Sequence, residues 1–201
     1  MAAQPVSLSY LALGDSYTIG ESVTESERWP NQLAHTLSKQ GVHVTQPKII
    51  ATTGWRTDNL KDAIIKAALK NDFDLVSLLI GVNNQYQGKS AEQYAIEFED
   101  LLKTSINLAK GKIENVFVVS IPDYGYTPFG LAKQETISEQ IDVFNKINKD
   151  IAAQYKVAYY DITDISRKGL EDHTLIATDG LHPSGKMYTL WVERIVGNFM
   201  R

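Results

Sequence analysis

Leu8-Ser9-Tyr10-Leu11-Ala12-Leu13-Gly14-Asp15-Ser16-Tyr17 is a short apolar run that stops at a glycine and then turns polar. A half-exposed strand alternates polar and apolar residues, so a run this continuous suits a strand covered on both faces. Four further runs share its character, and strands are predicted at Leu8–Leu13, Val42–Ala51, Leu75–Ile80, Val116–Ile121 and Val157–Tyr160. Between them apolar residues recur at helical spacing, which predicts helices over 28–40, 57–70, 91–110, 135–153 and 184–199. In the third of these, Tyr94, Phe98, Leu101 and Leu102 fall on one stripe. Strand and helix alternate five times. That order predicts an α/β fold of three layers, α/β/α, with a five-stranded parallel sheet and right-handed crossovers. Ligands in such sheets bind outside the carboxyl ends of the strands, so the loops that follow strands are where chemistry is expected.

Composition narrows the options. The 201 residues suit one domain spanning 1–201 with one sizeable core. A formal net charge of -4 gives no basic stripe for a nucleic acid, and no nucleic-acid partner is expected. The chain has no cysteine, which rules out disulfides, thiol catalysis and cysteine-ligated zinc. The opening Met1-Ala2-Ala3-Gln4-Pro5-Val6-Ser7 lacks the basic and apolar regions of a signal peptide. No apolar run approaches the roughly 18 residues of a membrane span, so no stable membrane insertion is expected. The expectation is a soluble protein, cytoplasmic as given, or exported if a leader has been removed. One connection is long: Pro122–Lys133, whose Pro, Gly and aromatic residues suggest an ordered loop with short helical pieces.

Gly14 permits a tight exit from the first strand and sets Ser16 at the sheet's carboxyl edge. A serine hydroxyl attacks only when a base takes its proton, so Ser16 as nucleophile needs a partner; otherwise it is a helix cap. The partner is expected in Thr178-Asp179-Gly180-Leu181-His182-Pro183-Ser184. Gly180 can turn the chain so that the Asp179 carboxylate meets the Nδ1–H of His182, and Pro183 fits the first turn of the last helix. Nε2 of His182 is then free to act as the general base. The plainer alternative has Asp179 or Ser184 as a cap and His182 solvated. His35, His43 and His173 lack such a context and are expected to be structural or solvated. An acyl-transfer site also needs donors for an oxyanion. Gly54 after the second strand and Asn83 after the third are candidates, against a turn glycine for Gly54 and a helix N-cap or Asx-turn for Asn83 as plainer readings. Asp15 is expected to fix its loop by accepting backbone hydrogen bonds. No metal-ligand cluster, dinucleotide fingerprint or P-loop competes with this set.

Gly14-Asp15-Ser16-Tyr17, Thr53-Gly54, Gly81-Val82-Asn83-Asn84 and Asp179-Gly180-Leu181-His182-Pro183 together resemble, in order and spacing, the blocks of the SGNH hydrolases, also called GDSL esterases/lipases. The resemblance covers nearly the whole chain. It departs at Tyr17, where Leu is usual, at Asn84, where Asp is common, and at Ala51-Thr52-Thr53, which lacks the Asn that commonly opens the second block. It implies the flavodoxin-like fold of that family and a cofactor-free serine esterase acting on a small-molecule ester. It also implies an oxyanion hole made of the Ser16 N–H, the Gly54 N–H and the Asn83 side chain. Short acyl esters are expected, because a minimal fold leaves little chain for a lid or deep tunnel. Lysophospholipids, acyl thioesters and acetylated carbohydrates are the alternative substrates, and a non-catalytic binding module on the same fold is the alternative of a different class. Trp55, Tyr86, Tyr124, Tyr126 and Phe129 fall on loops after strands and are candidates to line the substrate pocket.

Overall fold

Five parallel strands lie in the order β2-β1-β3-β4-β5 in the computed structural model, which describes residues 7–199. They are β1 (Tyr10–Gly14), β2 (Lys48–Ala51), β3 (Leu75–Leu79), β4 (Val116–Val119) and β5 (Ala158–Tyr160). Every residue of β1, β3 and β4 is buried, as their unbroken apolar runs require. The order reverses direction between β1 and β3, the switch point at which doubly wound sheets open a crevice. Register matters as much as order. Gly14 of β1 pairs with Ala51 of β2 and with Leu79 of β3, so three strands end level. The loops carrying Ser16, Gly54 and Asn83 therefore leave the sheet side by side.

Eight α-helices accompany the sheet among the described residues: α1 (Ser16–Ile19), α2 (Trp29–Lys39), α3 (Thr57–Ala67), α4 (Val82–Tyr86), α5 (Ala91–Leu108), α6 (Gln134–Gln154), α7 (Thr163–Ser166) and α8 (Gly185–Phe199). Helix α2 packs on α8, while α3, α5 and α6 pack side by side, covering the two faces of the sheet. Each long helix buries the stripe its spacing foretells. Trp29, Leu33 and Leu37 of α2 meet Tyr188, Trp191, Val192 and Ile195 of α8 in one core. Tyr94, Phe98, Leu101 and Leu102 bury the inner face of α5, and the Tyr94 ring lies 4.5 Å from that of Phe144 on α6. Full burial of one such side chain contributes roughly 1.5–3 kcal/mol, so these stripes dominate the stability of the layers.

The structure revises several expected boundaries. The second strand is four residues long rather than ten. Val44 still pairs with Leu8 as an isolated bridge, but Pro47 has no amide hydrogen to continue the ladder. Helix α3 stops at Ala67 because Ala68 turns into the left-handed region, φ 44°. Pro183 is not in the first turn of α8: it bridges Ile176 two residues before that helix opens. Helices α1, α4 and α7 lie outside the five helical spans expected from periodicity, since four or five residues are too few to display a period. The Pro122–Lys133 connection is ordered and carries two 3-10 turns, Tyr124–Tyr126 and Leu131–Lys133. Its anchor is the buried Asp123 carboxylate, which accepts from the Gly125 N–H at 2.9 Å and pairs with Arg167 Nε at 2.9 Å.

Candidate active site

The turn bearing Ser16 depends on a close approach of chains. A Cβ on Gly14 would come within 2.5 Å of the Leu79 carbonyl oxygen, so any other residue would push β1 and β3 apart. Asp15 then caps α1, its carboxylate accepting from the Tyr17 N–H at 3.0 Å. Ser16 is thus the first residue of the helix and not its cap, and its N–H has no partner within the helix. Asp15 fixes the turn as expected, and it is fully buried. That burial pushes its carboxyl up to about 7, against backbone donors from Tyr17, Asp15 itself and Gly81 that favour the charged form.

The neighbouring loops are equally constrained. After β2 the chain turns with Trp55 N–H donating to the Thr52 carbonyl, and Gly54 takes φ 84°, a conformation that favours glycine. After β3, Gly81 sits at φ 131°, where a Cβ would come within 2.7 Å of the Tyr94 ring. Asn83 follows on α4, and its Nδ2 donates to the Trp55 carbonyl at 3.0 Å. An amide nitrogen has two hydrogens, so the bond to Trp55 orients the group and leaves the second N–H for another acceptor. Asn84 accepts from the Thr57 N–H at 3.1 Å and donates to the Thr57 hydroxyl at 2.7 Å, tying α4 to the start of α3. An aspartate there could only accept, so asparagine frees the Thr57 hydroxyl to donate onward to Glu97.

Asp179 and His182 lie on a small hairpin ahead of α8. Ala177 N–H donates to the His182 carbonyl at 2.8 Å, Ser184 N–H to the Leu175 carbonyl at 2.8 Å, and Gly180 turns the tip at φ 74°. Asp179 Oδ1 accepts from the backbone N–H groups of Leu181 and His182, both at 2.9 Å. Asp179 Oδ2 lies 2.7 Å from His182 Nδ1 and 2.6 Å from the Ser22 hydroxyl, which donates to it. Partial burial pushes this carboxyl upward, but the bonds from Ser22, His182 and Leu181 outweigh it and hold the group well below the usual carboxylate range. An ionised carboxylate only accepts, so His182 carries a proton on Nδ1, which in the neutral ring leaves Nε2 as the acceptor. The imidazole is buried, edge-on to Tyr17 with ring centroids 5.7 Å apart. Ser184 also fills the plainer role foreseen for it, its Oγ accepting from Met187 N–H at 3.3 Å. His35, His43 and His173 are exposed.

Ser16, Gly54, Asn83 and His182 line one cleft of about 180 Å³, together with Tyr17, Thr53, Val82 and Leu181. Of the aromatic candidates, Tyr86, Tyr124 and Phe129 wall this cleft as a mutual cluster, with ring centroids 6.2–6.3 Å apart. Trp55 and Tyr126 are not in its lining. Trp55 gives its carbonyl to Asn83 while its ring packs against the core. Tyr126 borders a separate depression with Glu139, Asp142 and Arg167. Beyond the aromatic cluster a second depression of about 420 Å³ is bordered by Gln85, Lys133, Thr136 and Gln140. Sequence reasoning missed Ser22, whose contact with Asp179 spans 157 positions, and the packing of Tyr17 on His182. Neither leaves a local pattern. Among the described residues no group of three or more His, Asp or Glu is arranged to hold a metal ion, and no helix is long and apolar enough to cross a membrane.

Known proteins share the family pattern and the fold. The description of a GDSL-like lipase/acylhydrolase family matches residues 12–190. No curated protein sequence matches the chain. Among solved structures, the acetylxylan esterase Axe2 of Geobacillus stearothermophilus is similar at TM-score 0.73 and 17% identity, covering 96% of this chain and 94% of that one. A lipase/acylhydrolase from Enterococcus faecalis is similar at TM-score 0.71 and 19% identity, covering 95% and 94%. The psychrotrophic esterase EstA from Pseudoalteromonas sp., inhibited by monoethylphosphonate, is similar at TM-score 0.69 and 16% identity, covering 96% of both chains. At such identities the likeness speaks to the fold.

Proposed function

Since the chain belongs to the GDSL-like lipase/acylhydrolase family, we propose that it is a serine esterase that cleaves short-acyl carboxylic esters through an acyl-enzyme. The observation that carries this reading is the shared cleft: Ser16 and His182 line it together, while Asp179 holds His182 Nδ1 at 2.7 Å. Ser16 Oγ attacks the ester carbonyl carbon as His182 Nε2 takes the hydroxyl proton. The carbonyl oxygen becomes an oxyanion, met by the Ser16 and Gly54 N–H groups and the free N–H of Asn83. The bond to the alcohol oxygen then breaks, and His182 returns the proton to that oxygen. Water repeats the sequence on the acyl-serine with His182 again as base, releasing the carboxylic acid. Asp179 stays ionised throughout and stabilises the imidazolium. A binding module would need none of these groups together.

The size of the cleft limits acyl-chain length. A cleft of about 180 Å³ is smaller than the roughly 300–1,000 Å³ of most ligand pockets. It gains about 0.8 kcal/mol for each of the first few methylenes and nothing afterwards. In a series from acetate to palmitate esters, kcat/KM is expected to peak at short chains and to be unaffected by chelator. A monotonic rise out to long chains would refute the short-acyl reading, and complete loss with chelator that metal restores would refute the cofactor-free one. The depression beyond Tyr86 and Phe129 favours one second reading, acetylated carbohydrate. Exposed aromatic rings beside Gln85, Lys133 and Gln140 suit an alcohol part that both stacks and hydrogen-bonds. An acetylated glycoside hydrolysed faster than an alkyl acetate of similar reactivity supports it, and the reverse order removes it.

A further inference from the structure

We propose that Ser22 is a positioning residue: its hydroxyl, carried on the turn that also carries Ser16, orients the Asp179 carboxylate against His182. The inference rests on the reading of Asp179 and His182 given above. It starts from a loop tied at both ends. The Ser16 carbonyl accepts from the N–H groups of both Gly20 and Glu21, at 3.0 Å each, so the segment after α1 folds back onto the residue that opens it. Glu21 is held on one side, its carboxylate accepting from the Thr53 hydroxyl beside Gly54. Ser22 is held on the other, donating to Asp179 Oδ2 at 2.6 Å. The chain thus runs from Ser16 through Ser22 to Asp179, and from there through His182 back to the cleft that Ser16 lines.

Two features make this more than an incidental surface contact. Ser22 sits at φ 65°, in the left-handed region that a serine adopts at a cost, and the contact it makes there fits a conformation held for use. Its hydroxyl also meets the same oxygen, Oδ2, that faces the imidazole at 2.7 Å. A carboxylate free to rotate about its last torsion presents either oxygen to the ring. Here Oδ1 is fixed by two backbone N–H groups and Oδ2 by Ser22, so one orientation is left. The hydroxyl also shares the negative charge of Oδ2 with the imidazole. Without it more of that charge faces an imidazolium, which then keeps its proton to higher pH. Glu21 on the same turn, Asp15 and Tyr17 behind it, Tyr188 on α8 and Tyr86 and Tyr124 across the cleft are titratable groups around this pair, and none of them changes in the variants below.

Three replacements separate the hydroxyl from the backbone. Ser22→Ala keeps the unfavourable φ and loses the donor. Ser22→Gly relieves the φ and loses the donor. Ser22→Asn tolerates the left-handed region and supplies an N–H donor in place of the hydroxyl. With a short-acyl ester, Ala and Gly are expected to lower kcat about three- to tenfold, the span of one net hydrogen bond, with KM unchanged. The acid limb of their kcat–pH profiles moves to higher pH, and Asn restores both readouts. Asp179→Asn and His182→Ala are measured alongside. Wild-type kcat with an unmoved acid limb in Ser22→Gly, beside a crippled Asp179→Asn, overturns the role of Ser22 and leaves the Asp179–His182 reading standing. Loss in Ser22→Ala that Ser22→Gly repairs assigns the effect to backbone strain and overturns it as well. Wild-type turnover in Asp179→Asn overturns both.

Discussion

Ser16→Ala is expected to fold normally and to hydrolyse short esters at least about a thousandfold more slowly than the wild type. The fold is expected to survive because Ser16 contributes little to the turn that holds it. Gly14 permits the approach of β1 and β3, and Asp15 caps α1 with its own carboxylate. What the substitution removes is one oxygen that lines the cleft. The residual rate would come from the Asn83 and backbone donors acting on an ester attacked by water, which leaves a modest enhancement in other serine hydrolases. Circular dichroism and a melting curve check the fold, and kcat/KM on an acetate ester checks the chemistry. A folded variant that keeps more than about a tenth of wild-type turnover would mean that the nucleophile lies elsewhere.

Asn83→Ala is expected to lower kcat by about 10²–10³ with little change in KM, a loss of roughly 2.7–4 kcal/mol in transition-state stabilisation. The asymmetry follows from what the amide is proposed to meet. One N–H is engaged by the Trp55 carbonyl at 3.0 Å, and the other would meet the negative oxygen that, on the proposed mechanism, exists only once Ser16 has attacked. The alanine also frees the Trp55 carbonyl, so loosening of the loop after β2 could mimic the effect. KM separates the two, since displacement of Thr53 and Gly54 in the cleft wall raises it and loss of an oxyanion donor does not. Asn83→Asp, which also loses the bond to Trp55, is the harsher variant. It keeps the shape of the side chain but has no donor, and it places negative charge where the oxyanion forms, so it should be at least as slow as alanine. A raised KM with unchanged kcat in both variants would make Asn83 a binding residue.

Much of this arrangement was legible in the sequence because its determinants are local. The run from Tyr10 to Leu13 is apolar without interruption because both faces of β1 are covered, and Gly14 is required by the Leu79 carbonyl beside it. Asp179, Gly180 and His182 sit on one hairpin, so their spacing permits the contact between carboxylate and imidazole, and the other blocks favour it over a cap. Other parts depend on register and tertiary contact. That Gly14, Ala51 and Leu79 end level is a property of the paired strands, and no residue type announces it. The truncation of the second strand turned on Pro47, whose missing amide interrupts the ladder between Val44 and Ile49. Among the loop aromatics, Tyr124 and Tyr126 are indistinguishable by composition. The 3-10 turn they share sends one to the cleft and the other to the Arg167 depression. Ser22 could not be found at all, since its partner lies on the other side of the chain's whole length.

The central claim is that Ser16 is a nucleophile activated by the Asp179–His182 pair. A fluorophosphonate reacts only with a hydroxyl so activated, and the adduct survives digestion and mass spectrometry. The folded wild type should gain one adduct, on the peptide containing Ser16, and His182→Ala should lose it while remaining folded by circular dichroism. A folded wild-type protein that stays unlabelled after prolonged exposure, or that carries the adduct on any other residue, contradicts the account.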